Sequence, residues 1–345
     1  MSTSNADVPI VDIAPFFAAD ATDAARDEIA AAVAAACERI GFVLVTGHGV
    51  PQATIDEFYD VSKRFFQLPL EQKLEVKSPI GKLFQGYACP GDGLGYHTSE
   101  RQSFNVFRYD TIAEAVARGY PDDIGAVFYE ALWPREPANF RDAWRAYFEE
   151  MEALAGRVLR VFERGLGLPD GWFADTVVHD PSTQAANYYS NDIESGHEPS
   201  PFRFKAHVDG SIITILHQDD GPGSLQLHQR GQGWRDVAAV PGTFVVNIGE
   251  LMERWTNDRF VATPHRVLKP HEDSGTPRIS APFFLKADFD AVIAPIPELL
   301  APGEAPKYEP VTGRGWLTKG QDDIYRGNDS TVQFAERAAA KQIAS

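Results

Sequence analysis

The sequence predicts an α+β protein with a mainly β core: a double-stranded β-helix (jelly roll) with flanking helices and an N-terminal α/β segment. Three observations carry this expectation. After Pro169 the chain breaks into short β-rich runs at 185–190, 204–209, 212–217, 224–228, 234–237, 243–248, 265–268 and 278–285, with turn residues and no long helix between them. That texture belongs to two antiparallel sheets enclosing a site at one mouth. Ahead of it, residues 139–165 repeat Phe140, Trp144, Tyr147, Met151, Leu154, Val158 and Val161 at intervals of three or four, the period of one amphipathic helix. The first third alternates strand-like and helix-like runs.

Residues 8–13 read as an opening strand, and residues 23–40 as a helix with Ile29, Val33, Cys37 and Ile40 near helical spacing, ended by Gly41. Phe42-Val43-Leu44-Val45 is a compact apolar strand closed by the turn residues of Gly47-His48-Gly49-Val50-Pro51. His48, between two glycines, reads as a turn histidine. A helix over 52–66 follows, broken at Leu68-Pro69. Residues 80–109, rich in Gly and aromatics, predict irregular structure and short strands, because the glycines lack the strand and helix context of a phosphate loop. In the long helix Asn139 is the expected N-cap, and Gly165, Gly167 and Pro169 mark the end. At 1.5 Å per residue it would run roughly 40 Å, enough to brace one side of a barrel, with its aromatic stripe as core. Beyond Ala301 a Pro/Gly-rich passage leads to an Ala-rich helical tail from about 329. The organisation expected is an N-terminal segment over 8–125, a linker and bracing helix over 126–179, a jelly-roll core over 180–290 and a C-terminal extension over 291–345.

The chain has 345 residues and a formal net charge of −17, with no basic run, which argues against nucleic acid and anionic membrane surfaces as partners. Cys37 and Cys89 are too few for a disulfide framework and suit a reducing compartment. With neither an apolar run long enough to span a bilayer nor the pattern of a signal peptide, a cytoplasmic protein is expected.

Chemistry concentrates in Phe204-Lys205-Ala206-His207-Val208-Asp209-Gly210. In an extended strand His207 and Asp209 share a face while Val208 points behind them. Thr263-Pro264-His265 adds another imidazole, and two His with one carboxylate form the facial triad that holds non-haem Fe(II) with open positions. Arg278 and Ser280 share a face of a later strand, suited to a bidentate grip on a carboxylate. A hairpin across 269–277 would pair that strand with the His265 strand. Parity puts Arg203 and Lys205 on the ligands' face, where Lys205 would favour an acidic or zwitterionic substrate, or else both lie solvated at the rim. Phe284 falls on the Arg278 face, as pocket lining or as core.

With these residues the chain resembles the isopenicillin N synthase-like members of the 2-oxoglutarate/Fe(II)-dependent dioxygenases. The likeness extends to Trp234, Pro241-Gly242-Thr243-Phe244-Val245-Val246-Asn247-Ile248-Gly249, His265-Arg266-Val267, Asn187-Tyr188-Tyr189 and, near the N-terminus, Val8-Pro9-Ile10-Val11-Asp12 and Gly47-His48-Gly49-Val50, so it covers about residues 8 to 290. Val208 and Ser190-Asn191 depart from the family's usual residues. The resemblance implies Fe(II) on His207, Asp209 and His265. It implies 2-oxoglutarate on Arg278 and Ser280 with Asn187 and Tyr189, and O2 as oxidant. The reaction implied is oxidation of a C–H bond of a small molecule, an amino acid or secondary-metabolite intermediate, by hydroxylation, desaturation or ring closure, coupled to release of succinate and CO2. An oxidase of the same fold that uses no 2-oxoglutarate is the alternative. A non-catalytic jelly-roll binding module would leave an open triad and an anion clamp unexplained.

Overall fold

The computed structural model describes residues 5–77, 85–89, 101–126, 128–189, 202–219, 225–269 and 277–325. The N-terminal part gives β1 (Ile10–Asp12), α1 (Asp23–Arg39), β2 (Phe42–Thr46), α2 (Gln52–Phe66), α3 (Leu70–Leu74), β3 (Gly86–Ala88), β4 (Gln102–Phe107) and α4 (Ile112–Ala117). The long helix α5 (Phe140–Leu166) leads into the strand-rich region of β5 (Thr183–Tyr189), β6 (Phe202–His207), β7 (Ile213–Gln218), β8 (Leu225–Gln229), β9 (Gly233–Asp236), β10 (Phe244–Ile248), α6 (Glu250–Trp255), β11 (His265–Leu268) and β12 (Arg278–Leu285). A small ribbon, β13 (Val292–Ile293) with β14 (Val311–Thr312), and α7 (Gly313–Tyr325) follow.

All eight expected strands are present, each within two residues of its expected bounds at either end. They form a jelly roll of two facing sheets, one ordered β1-β2-β10-β7-β12-β5-β4-β3 and the other β6-β11-β8-β9. From β5 to β7, and again from β10 to β12, the chain crosses between sheets at every strand. This alternation corrects the expected hairpin: β12 pairs with β5 and β7, whereas β11 pairs with β6 and β8. Each sheet has one face to bury, and a chain that switches sheets closes the interior where a local hairpin would only widen one sheet.

Side-chain parity divides the larger sheet cleanly. Val43, Val45, Phe104, Ile213, Ile215, Val246, Ile279, Ala281 and Phe283 face the helices in one core. Phe42, Leu44, Tyr189 and Val245 face the smaller sheet with Leu225, Leu227 and Val267. Against the outer face lies α5, 27 residues and therefore roughly 40 Å long. Its aromatic stripe is core, as expected: Tyr147 stacks on Phe58 at 4.1 Å between centroids, and Phe148 meets the edge of Phe283 at 5.3 Å.

Several local expectations need correction. Asn139 occupies the N-cap position of α5 without capping it, because its side chain donates to Glu57 instead at 3.0 Å. Gly165 lies inside that helix, where the backbone of α1 passes so close that a Cβ would sit 2.8 Å from the Ala30 carbonyl oxygen, and Gly167, with φ of 74°, ends the helix. The short helices α3, α4 and α6 fall below the length at which apolar periodicity is legible. For α4 a local signal exists: Thr111 accepts from the Glu114 amide at 3.0 Å while Glu114 accepts from the Asp110 amide at 3.3 Å, close to a capping box. Beyond 301, α7 starts at Gly313, and the helical tail expected from about 329 lies outside the described residues, as do most of the 269–277 turn and the Gly91-Asp92-Gly93 cluster. Among the described residues no helix is long and apolar enough to cross a membrane.

Gly41 ties α1 to the core. Its φ is +65°, and a Cβ there would lie 1.9 Å from the Val261 carbonyl oxygen. Gly41→Ala is therefore expected to destabilise the protein by at least ~1–3 kcal/mol from backbone strain alone, read as a lower urea midpoint at unchanged slope.

Candidate metal centre

His207 ends β6 and His265 opens β11, and the two are direct cross-strand partners, so their imidazoles leave the same face with centroids 4.2 Å apart. Asp209 lies just past the strand rather than within it, held there because Glu250, the first residue of α6, donates its amide to the Asp209 carbonyl at 2.8 Å. Val208 is fully buried and turned away, as expected. One ligand atom from each of His207, Asp209 and His265 lies within 4.8 Å of the others.

Electrostatics prepare all three groups. His207 Nδ1 lies 2.8 Å from the Lys205 carbonyl oxygen and His265 Nδ1 lies 3.2 Å from that of Thr263. A carbonyl can only accept, so each Nδ1 carries a proton and each Nε2 is the atom turned toward the centre. The Nε2 atoms stand 3.5 and 3.6 Å from the Asp209 carboxylate. Burial, followed by the neighbouring His207, lowers the His265 pKa to about 4 and leaves the imidazole neutral. Burial alone would raise the pKa of Asp209, but the facing imidazoles and the Thr214 hydroxyl hold its carboxyl well below the usual range. Thr214 on β7 donates to Oδ2 at 2.6 Å and Asn247 on β10 donates at 2.8 Å. Two imidazoles with Nε2 turned inward and one oriented carboxylate, with no fourth protein ligand among the described residues, fit a divalent metal that needs open positions.

The expected clamp lies on the interior face of the larger sheet. Ser103, Asn187, Ser280 and Gln218 form one cross-strand row, and Tyr189 pairs with Arg278 beside it. Arg278 is 5 % exposed; its Nη2 donates to Gln218 at 2.7 Å, its Cζ lies 5.4 Å from the Tyr189 ring centroid, and its buried Nη1 has no hydrogen-bond partner among the described residues. A buried guanidinium N–H left unpaired is the mark of an anion site, since leaving it so costs about 1–3 kcal/mol or more for a charged group. Asn187 Nδ2 lies 3.5 Å from the Ser280 hydroxyl. A second row, Phe107, Thr183, Phe284, Thr214 and Asn247, runs across the same face and includes both donors to Asp209.

The other sequence candidates divide. Phe284 is half-buried on this second row. Arg203 is 5 % exposed, with its guanidinium over the Tyr189 ring, and so is not a solvated rim residue. Lys205 is half-buried and holds His207 through its carbonyl. His48 is a turn residue that accepts from the Val50 amide at 3.1 Å. Thr214 and Asn247 were not anticipated, although Asn247 lies within the Pro241 to Gly249 stretch. Nor was Arg101, which donates to the Asn187 side chain and lies over the Phe204 ring at 4.3 Å, with Phe204 itself edge-on to His207. Arg101 immediately precedes β4, in a stretch whose sequence carries no substrate signature.

If this cluster holds a metal, Thr214→Val should weaken Co(II) or Fe(II) affinity by roughly 10–100-fold without displacing the ligands. An anaerobic metal titration of the variant against the parent measures this.

Comparison with known proteins agrees with this geometry. Residues 181–287 match the 2OG-Fe(II) oxygenase superfamily, and residues 8–134 match the N-terminal region of non-haem dioxygenases in morphine synthesis. The 2-oxoglutarate-Fe(II) type oxidoreductase hxnY of Emericella nidulans is 30% identical over 97% of this chain and 95% of its own. Homoarginine-6-hydroxylase 2-ODD-C23 of Glycine max is 29% identical over 86% and 90%. The fold matches that of a full-length Neurospora crassa protein crystallised in complex with alpha-KG, with a TM-score of 0.80, 24% identity and coverage of 94% of this chain and 100% of that one. These relatives favour 2-oxoglutarate dependence over the oxidase and binding-module alternatives. The chain belongs to the 2-oxoglutarate/Fe(II)-dependent oxygenases.

Proposed function

We propose that His207, Asp209 and His265 hold the Fe(II), that Arg278 and Ser280 grip the distal carboxylate of 2-oxoglutarate, assisted by Asn187 and Tyr189, and that the substrate approaches along the row containing Phe284. The observation that carries this reading is the buried Arg278 Nη1 without a partner, on the same interior face as the donors to Asp209. Bound iron and 2-oxoglutarate together supply oxidation of a C–H bond by O2, with release of succinate and CO2. The chain's own residues bind, orient and exclude water. Asp209 stays ionised and unavailable as a general base, because Thr214 and Asn247 occupy one of its oxygens and the imidazoles face the carboxylate. Phe42 and Phe204 meet the edges of His265 and His207 at 5.6 and 4.3 Å, keeping the rings in place and the ligands dry.

The substrate is a small organic molecule of amino-acid or secondary-metabolite size; the Glycine max relative is named for homoarginine, an amino acid. Lys205, half-buried and two residues before a ligand, is a second substrate-side residue in this reading. The protein works in the cytoplasm, where the thiols of Cys37 and Cys89 stay reduced.

Two measurements test the assignment. Asp209→Ala should lose both stoichiometric iron and turnover; a variant that keeps one equivalent of iron and full activity removes the triad from consideration. Anaerobic addition of 2-oxoglutarate to the Fe(II) protein should give a weak visible charge-transfer band, and Arg278→Leu should raise the 2-oxoglutarate Kd by roughly 30-fold or more, the effect of removing one partner of a buried charge pair. An unchanged Kd would place the co-substrate elsewhere.

A further inference from the structure

Resting on the reading above, we propose that Lys286 is the substrate anchor of this enzyme and that the substrate carries a carboxylate, held by the Lys286 ammonium and the Thr183 hydroxyl. Lys286 follows the end of β12, with the same alternation as Arg278, Ser280 and Phe284. Its Nζ donates to Thr183 Oγ1 at 2.7 Å and lies 5.1 Å from the Phe107 ring centroid. Both neighbours belong to the interior row that continues through Phe284 to Thr214, the donor to Asp209. The ammonium is therefore on the inner face of the larger sheet, reaching from β12 toward β5 and β4, at the end of the row opposite Thr214 and Asn247.

Among the described residues no carboxylate forms an ion pair with it. Among the described residues Thr183 is its one hydrogen-bond acceptor, so two of its three donors are unused. Asp180, whose charge acts on it, is engaged elsewhere: it takes Arg108 at 2.8 Å and the Ser182 amide at 3.0 Å. Burial pulls the Lys286 pKa down to about 8, with Asp180 opposing, and the residue as a whole is half-buried. Phe107 and the cluster of Ala115, Tyr120, Ile124, Phe128 and Phe289 wall off the far end of the row.

Spacing gives the size of the ligand. Thr183 stands two strands from Thr214, on the order of 10 Å at about 4.8 Å per strand. A carboxylate on Lys286 thus places a carbon several bonds away in front of the metal. One ammonium and one hydroxyl match the two oxygens of a carboxylate; a phosphate would call for the cluster of cations or amides that is missing from this row.

The test uses the full chain as its anaerobic Fe(II) complex saturated with 2-oxoglutarate, so that the Arg278 clamp is filled. Linear monocarboxylates from butanoate to octanoate and their primary amides are titrated by calorimetry. At least one acid should bind roughly 10-fold or more tighter than its amide, as a charge-assisted hydrogen bond implies. Lys286→Met should abolish that preference and Lys286→Arg should retain it, with thermal melts reporting that both variants fold. Equal affinity for acid and amide, no binding of any acid, or undiminished preference in Lys286→Met overturns the proposal. The charge-transfer band of the parent with 2-oxoglutarate is read first: its absence refutes the co-substrate reading, whereas its presence without an acid preference refutes the anchor alone.

Discussion

The buried carboxylate of Asp209 is the constraint around which the site is built. An ionised carboxylate 7 % exposed is tolerable only where oriented donors replace the water it lost. Two strands meet that demand, β7 through Thr214 and β10 through Asn247, while β6 and β11 turn the two imidazoles toward the carboxylate and α6 fixes the backbone of Asp209. Strands distant in sequence are thereby locked at one level of the jelly roll. Before any metal binds, the site already has the charge and tautomers that a divalent cation requires.

The same logic explains the polar interior. Most jelly-roll interiors could be filled with apolar side chains, but here Ser103, Asn105, Thr183, Asn187, Arg278 and Ser280 are buried on one face of the larger sheet. Such a face contributes little hydrophobic stabilisation. The opposite face compensates: α1, α2 and α5 cover it with Phe58, Phe65, Phe140, Trp144, Tyr147 and Phe148, all nearly inaccessible to solvent. One sheet thus carries stability on its outer side and chemistry on its inner side, and the period of two along each strand keeps them apart.

The edges of the site come from outside the strand-rich region. Arg101 immediately precedes β4, Phe107 ends it, and Trp316 of α7 donates its indole N–H to the Gly210 carbonyl at 2.8 Å, next to Asp209. Arg314 of the same helix forms an ion pair with Asp123, linking α7 to the excursion that follows β4. Segments from both ends of the chain therefore touch the residues around Asp209 and Asn187.

By itself the sequence determined the elements and the chemistry that repeats with a short period. Alternation put His207 and Asp209 on one side of Val208, and helical spacing defined α5 almost to its ends. The Arg278 and Ser280 pair was legible for the same reason, because two residues on one strand share a face whatever the sheet around them. Tertiary structure decided which strands meet. His265 reaches the centre by pairing with the His207 strand, and Arg278 reaches it from the opposite sheet, because crossover between sheets depends on burying both inner faces at once and leaves no local mark. Thr214, Asn247, Arg101 and Lys286 escaped detection on the same ground. Each is an ordinary residue in its own segment and gains a role only from a partner a sheet or a hundred residues away.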